Sequence, residues 1–218
     1  GATTTGDHAA VPELARAWER LDSLTLAFEL DPRARWHDGM PVTSDDVIFS
    51  FARMRDPKAA PGTAALLAGI ANVTSDSTGR VIVRFTRPYG EQLYDATFHV
   101  QVLPKHLLAS IPPDSLGKTA FALMPVGNGP YRVLRNQPGE FIELAAVPDF
   151  FLGRPTIDRV TWRLAPSHEA RLNLLLSGAA DMQEDLLPPL QNIERLRARP
   201  DLRLAHLPSM AVTYLLFN

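Results

Sequence analysis

RARWHDGMPVTSDDVIFSFARM, residues 33–54, is the stretch from which the fold is read. The alternating run LTLAFEL (24–30) approaches it as a strand. WHDGMP then turns the chain, with Asp38-Gly39 supplying the turn chemistry. Thr43 suits the N-cap of a following helix. Asp46, three residues on, can reach back to the Thr43 N–H in a capping box that has Asp where Glu or Gln is usual. Ser44, Asp45 and Asp46 fill the first turn, where acids complement the helix dipole. Val47, Phe51 and Met54 recur at helical spacing with Ile48 beside them, so one face is apolar. The stretch is a strand, a turn and a capped helix, and it holds no catalytic geometry.

Upstream, PELARAW (12–18) reads as a short helical turn with Pro at a tolerated early position. LTLAFEL places Leu24, Leu26, Phe28 and Leu30 on one face of a half-buried strand. Downstream, RDPKAAPGTAALLAG reads as a loop and a short helix. IANVTSDSTGRVIVRF (70–85) reads as a hairpin turned at Gly79. PYGEQLYDA and PKHLLAS are short helices. The composition shifts at IPPDSL (111–116), which divides the chain into residues 7–112 and 113–218. In the second part GNGPYRVLRN turns into a strand, FIELAAV is its antiparallel partner, and VTWRL, ADMQED and LRLAHL are further strands. HEARLNLLLSG is a helix closed by Gly178, and LLPPLQNIERLRA is helical from about Pro189. Strands and helices alternate here, which predicts a mixed α/β (α+β) fold rather than a barrel or sandwich.

The chain has 218 residues, 45% of them hydrophobic and 21% charged, enough to bury a core. A net charge of −2 provides no basic field for nucleic acid or an anionic membrane. No apolar run reaches the roughly 18 residues of a spanning helix, and the start, GATTTGDHAA, has no signal-peptide pattern. With no cysteine there is no disulfide, thiolate catalysis or cysteine-ligated metal. The 19 prolines sit between periodic segments, as punctuation of many short elements.

Candidate chemistry is sparse. No two histidines share the i, i+4 spacing of a helical metal pair, so no metal site is predicted. Adjacent His37 and Asp38 lie in a turn and do not converge as a catalytic pair. Asp45–Asp46 and Glu184–Asp185 are explained by helix starts, and no carboxylate has a partner that would tune it for catalysis. Gly127-Asn128-Gly129 is followed by Pro130 and a strand, not by the helix of a nucleotide loop. Neither a Gly-x-Ser-x-Gly nor a phosphate-loop sequence occurs. Asn72-Val73-Thr74, a formal glycosylation sequon, falls within a strand. No cofactor is implied. The last run, MAVTYLLFN (210–218), reads as a strand with Tyr214 and Asn218 on one face among apolar residues, as at a sheet edge lining a ligand cleft.

WHDGMPVTSDDVIFSFARMRDP (36–57) resembles the signature of the family 5 extracellular solute-binding proteins. PELARAW resembles the family's Pro-x-Leu-Ala-x-x-Trp, and Gly127-Asn128-Gly129-Pro130-Tyr131 its Gly-Thr-Gly-Pro-Tyr with Asn for Thr. VPDFFLGRP resembles its Asn-Pro-x-Tyr-Trp-x-Gly-x-Pro, with Val147, Phe150 and Phe151 substituted. LLLSGAADM and YLLFN resemble two further segments, so the matches run in order along nearly the whole chain.

The resemblance implies a lobe of the type II periplasmic-binding-protein fold, in proteins about twice this long built as two lobes closing on a ligand. Residues 7–112 would form a small extra subdomain and 113–218 the central part of lobe one, with the second lobe absent. It implies the substrate-binding component of a bacterial ABC importer rather than an enzyme. Such a protein, periplasmic or lipid-anchored outside the cytoplasmic membrane, carries a peptide or related small solute to inner-membrane permease subunits. The ligand contacts expected from this chain are Tyr214 and Asn218 on the last strand, His99 and Gln101 before Pro104, and Asn128 in its turn. The alternative is the ligand-sensing domain of a transcription regulator built on the same fold.

Overall fold

A computed structural model of the chain describes residues 3–4, 10–183 and 191–205. They fall in two compact units, Gly1–Trp162 and Arg163–Asn218. In the first unit β1 (Thr3–Thr4) pairs antiparallel with β2 (Ala10–Val11). The main sheet is built from β3 (Ala15–Asp22), β4 (Thr25–Leu30), β5 (Ile70–Ser75) and β6 (Val81–Phe85), in the order β3-β4-β6-β5. Between β4 and β5 come α1 (Ser44–Met54), α2 (Pro61–Leu66) and a 3₁₀ turn, Leu67–Gly69. After β6 follow α3 (Gln92–Thr97), α4 (Lys105–Leu108), a 3₁₀ segment (Pro113–Lys118) and α5 (Ala120–Leu123). A second sheet has the order β7 (Tyr131–Gln137), β8 (Phe141–Ala146), β9 (Arg159–Arg163).

The segment PELARAW, expected as a helical turn, instead bends at Glu13–Leu14 and enters β3 at Ala15. Ala15–Asp22 pairs antiparallel with β4, Trp18 opposite Phe28. The Asp22 carboxylate accepts the Leu24 N–H at 2.7 Å and closes a tight turn between the strands. β3 is an edge strand with mostly exposed side chains, so it lacks the apolar alternation that marks a half-buried strand. β4 departs from the expected alternation in the other sense, because Thr25 to Phe28 are all buried. It lies between β3 and β6, and Ala27 is flanked in register by the larger Glu19 and Ile82.

The hairpin over 70–85 forms as expected. Gly79 takes φ 83°, and the Asp76 carboxylate accepts the N–H groups of Thr78 and Arg80 at 2.9 and 3.0 Å. The hydrogen bonds from the Thr78 hydroxyl and the Arg80 guanidinium hold Asp76 well below the usual carboxylate range.

α1 lies against the sheet through Val47 and Phe51, which join Leu26, Phe28, Ile70, Val83 and Phe85 in the main core. A second core cluster gathers Leu14, Ala34, Trp36 and Val42, with Val126 and Phe151 packed on it. What fixes α1 in place is polar. Asp46 is 4% exposed, and its carboxylate accepts the Thr43 N–H at 2.9 Å and the Thr43 hydroxyl at 3.0 Å. It also accepts the Lys105 N–H at 2.8 Å and the Trp36 Nε1–H at 3.4 Å. One turn later Ser50 donates to the Asp46 carbonyl at 2.6 Å and accepts the Leu103 N–H at 2.7 Å. The capping acid read from the sequence is therefore also the anchor for the segment leading into α4.

In the second unit α6 (His168–Leu176) starts at Ser167, whose hydroxyl accepts the Ala170 N–H at 3.1 Å. Leu172 and Leu175 pack with Leu196 of α7 (Gln191–Arg197). Gly178, at φ 74°, ends α6 as expected. The strand expected over ADMQED is absent from its described part. The N–H groups of Ala179 and Ala180 both donate to Leu174 O, at 2.9 and 3.0 Å, folding the chain back over the helix end. Leu202–Ala205, expected as a strand, is irregular because the Leu202 N–H turns back to Arg199 O at 3.2 Å and its side chain packs on the helix pair. The run expected over 210–218 lies outside the described residues.

Every partner of the Asp46 carboxylate is a donor, so an amide at this position sets its NH₂ against another donor. Asp46→Ala should cost about 2–4 kcal/mol, and Asp46→Asn nearly as much, because buried donors lose their acceptor. Thr43→Ala, at a partly solvated cap, should cost about 0.5–2 kcal/mol. Urea unfolding midpoints check the order, and an Asn variant as stable as the parent would contradict it.

Candidate functional site

Two surfaces of the first unit carry chemistry. The first is built on α3. Gln92 is fully buried and its amide ties three points: Nε2 donates to Ser23 O and Arg87 O at 3.1 and 3.2 Å, and Oε1 accepts from Arg20 at 2.6 Å. With the helix start locked, its far end presents Tyr94 and Phe98, 43% and 62% exposed. Their rings stack at 4.6 Å between centroids, 17° from parallel. His99 sets its edge against both, at 5.3 and 5.4 Å, and its Nε2 lies 3.5 Å from the Asp95 carboxylate. The other oxygen of Asp95 accepts the Tyr89 hydroxyl at 2.8 Å. Burial, joined by the bond to Asp95, pushes the Tyr89 phenol up to about 12. Gln101 is exposed on the segment that follows, between Val100 and Val102, which face the apolar core.

The second surface is a cavity of about 420 Å³ where three turns meet. The first is Arg33–Gly39, held by the Gly39 N–H to Trp36 O at 2.8 Å and by Gly39 at φ 91°. The second contains Gly129 and the third is Val147–Phe151. His37 joins the first two. Its Nδ1 accepts the Gly127 N–H at 3.2 Å, and its Nε2 is 3.0 Å from Gly129 O, so the proton sits on Nε2. The backbone of the same two residues is also bonded, His37 N–H to Gly127 O at 2.8 Å. Close by, Asp38 meets His106 at 2.7 Å. Burial pushes the Asp38 carboxyl up, but hydrogen bonds from His106 and the Met40 N–H win and hold it below its ordinary value. His37 and Asp38 thus serve separate partners and form no catalytic pair.

Of the residues expected at a ligand site, His99 lies against the Tyr94–Phe98 pair just beyond α3, and Gln101 is exposed two residues further on. Asn128 sits between the two glycines that His37 holds, beside the cavity. Tyr214 and Asn218 lie outside the described residues. Tyr94 and Phe98 escaped the sequence reading. Their i, i+4 spacing with Asp95 and His99 was the available signal, read only as part of a short helix. Among the described residues no group of three or more His, Asp or Glu is placed to hold a metal ion. No helix among them is long and apolar enough to cross a membrane.

The turns that close the cavity are the same segments, WHDG, GNGPY and VPDFF, whose order along the chain resembles one family. The family description that matches residues 9–218 is bacterial extracellular solute-binding proteins, family 5, middle region. The chain belongs to this family. A Brucella ovis protein named among ABC transporter peptide-binding proteins is 38% identical over 170 residues, 77% of this chain and 32% of the relative. The oligopeptide-binding protein AppA of Bacillus subtilis, solved with a nonapeptide, superposes with a TM-score of 0.76 at 26% identity, covering 82% of this chain and 36% of that one. NikZ of Campylobacter jejuni, solved with Ni(L-His), gives a TM-score of 0.73 at 26% identity, covering 82% and 35%. The mixed α/β architecture is thus part of the type II periplasmic-binding-protein fold. The chain spans about a third of the length of the curated relatives it matches.

The Tyr89 phenol keeps its proton more tightly in the folded protein than its ordinary value of 10.0 would give. Its contribution to stability is therefore complete below pH 10 and lost as the pH rises through about 12. Tyr89 should titrate late by phenolate absorbance, and Tyr89→Phe should remove that step together with the matching loss of stability. A Tyr89→Phe titration identical to the parent's would contradict the assignment.

Proposed function

We propose that the protein is the substrate-binding component of a bacterial ABC importer, taking peptides between two lobes and delivering them to inner-membrane permease subunits. It works outside the cytoplasmic membrane, in the periplasm or on a lipid anchor, and performs no chemistry on its cargo. Residues 7–112 act as the small subdomain of the receptor and 113–218 as the central part of its first lobe. The observation that carries this reading is the exposed Tyr94–Phe98 stack against His99, in a chain that matches its family over 9–218. A soluble domain exposes such a ring pair at a cost unless a partner covers it. Stacked rings accept many apolar side chains without selecting one sequence, as a receptor for varied peptides requires.

Main-chain hydrogen bonds hold the peptide backbone. His99, Gln101 and Asn128 contribute polar contacts, with Tyr214 and Asn218 on the last strand. Closure follows because the ligand touches both lobes only when they approach, so binding shifts the equilibrium toward the closed state.

In the whole receptor, Phe98→Ala with His99→Ala should weaken peptide binding by about tenfold, since a stacked aromatic contact contributes about 0.5–1.5 kcal/mol. Phe98 is 62% exposed, so its loss should barely move the melting temperature. His99, with a side chain only 16% exposed, should cost some stability, and affinity is read well below the melt. Residues 1–218 alone, with one wall of the cleft, should bind peptides far more weakly than the whole receptor in calorimetry. Native mass spectrometry of the receptor from its host should find carried peptides. Unchanged peptide affinity in the double variant would overturn the assignment of this surface, and micromolar binding by residues 1–218 alone would overturn the requirement for both lobes.

A further inference from the structure

The cavity under the three turns has a charge pattern that the peptide reading does not use. Arg33, Arg35 and Arg132 line it, against a single lining carboxylate, Asp149. Asp31 offsets part of this charge from behind. Its carboxylate takes Nε and Nη2 of Arg33 at 3.0 and 2.7 Å, and that pairing holds it below the ordinary carboxylate range. Arg33 is thereby fixed in direction with Nη1 outside the pair. Arg35 is anchored through Nη1 to the Pro32 and Ala34 carbonyls, both at 3.1 Å, which leaves Nε and Nη2 outside those bonds. Arg132 stands on β7 opposite Ala145, a side chain too small to cover it.

The rest of the wall is apolar or neutral. Trp36 is 2% exposed, and Phe150 and Phe151 meet edge to face at 4.8 Å. Both ring nitrogens of His37 are taken up by the Gly127–Gly129 turn. A volume of about 420 Å³ falls within the range of about 300–1,000 Å³ that small-molecule sites occupy.

We propose that this cavity is a second ligand site, for a small organic molecule bearing a carboxylate on an apolar body. Guanidinium groups bind carboxylates through paired N–H donors in one plane. Arg35 and Arg132 take the carboxylate, Arg33 adds the field of its free nitrogen, and the Phe150–Phe151 corner packs the apolar part. The site does not depend on the peptide reading, because no residue of the α3 surface lines it.

Calorimetry on the whole receptor at low salt, with 3-phenylpropionate as the probe, tests the proposal. Binding should saturate at one site, weaken with added salt, and be at least tenfold stronger than for the neutral 3-phenylpropanamide. Arg35→Ala with Arg132→Ala should lower the affinity at least tenfold without moving the melting temperature, since both side chains are exposed. Gly129→Leu should abolish probe binding, whereas Phe98→Ala, at a residue that does not line the cavity, should leave it unchanged. A Cβ at Gly129 meets nothing within 4 Å, so the new side chain has room to enter the cavity. Equal binding of the amide and the carboxylate, or an arginine double variant with parental affinity, would overturn the proposal. So would inorganic phosphate binding more tightly than the probe, which would make the cavity a simple anion site. Loss of peptide binding in the α3 variant with probe binding intact would separate this site from the transport reading.

Discussion

The buried carboxylate of Asp46 is the constraint on which the first unit depends. A charge removed from water must be met by hydrogen bonds, and here four donors from three segments supply them. Thr43 belongs to the helix start, Trp36 to the preceding turn, and Lys105 to a helix almost sixty residues later. Ser50 repeats the device one turn along, linking the helix backbone to Leu103. Apolar contacts hold α1 on the sheet, but they are non-directional and would tolerate a shift along the surface. The polar pair fixes the register. The position therefore calls for an acceptor-only side chain of this length, which the capping pattern alone does not explain.

Once Trp36 is held, the surrounding geometry follows. The indole fills the second core cluster and turns its N–H to Asp46, so the next residue, His37, faces outward to the glycine turn. The segments that mark the family are thus scaffolding: they position one another. The cavity forms where scaffold segments meet, and the exposed aromatic rim lies on a different element, α3.

Local signals made part of this legible in the sequence. The cap on α1, the Asp76–Gly79 turn and the Gly178 stop each involve residues within a few positions of one another, and each formed as read. The order of motifs also sufficed to place the chain in its family. The failures came where a distant partner decides the outcome. Ala15–Asp22 is a strand because β4 lies beside it, although its own side chains show no alternation. Residues 180–183 and 202–205 have strand-like composition, but backbone bonds to the preceding helix ends are satisfied first. β1 and β2, two residues each, have no pattern long enough to detect. The cavity was invisible for the same reason. Arg35, Gly129 and Phe151 are far apart in sequence, and their turns meet through the His37 bridge, the Val147 N–H to Pro130 O bond at 2.9 Å and Phe151 packed on the Trp36 cluster.

The main sheet also guards its two borders by different means. β3 carries Arg16, Glu19, Arg20 and Asp22 along its length, with register irregularities near each end, and an incoming strand would have to desolvate those charges and match a bent edge. β5, IANVTS, has no charge of its own and would be the more adhesive border. There the guanidinium of Arg55, just beyond α1, donates to the Ala71 carbonyl at 3.2 Å, occupying an acceptor a foreign strand would need. Resistance to edge-to-edge association is thus intrinsic to one border and lent to the other by a helix, so a loosened α1 would expose the molecule to self-association before the sheet itself came apart.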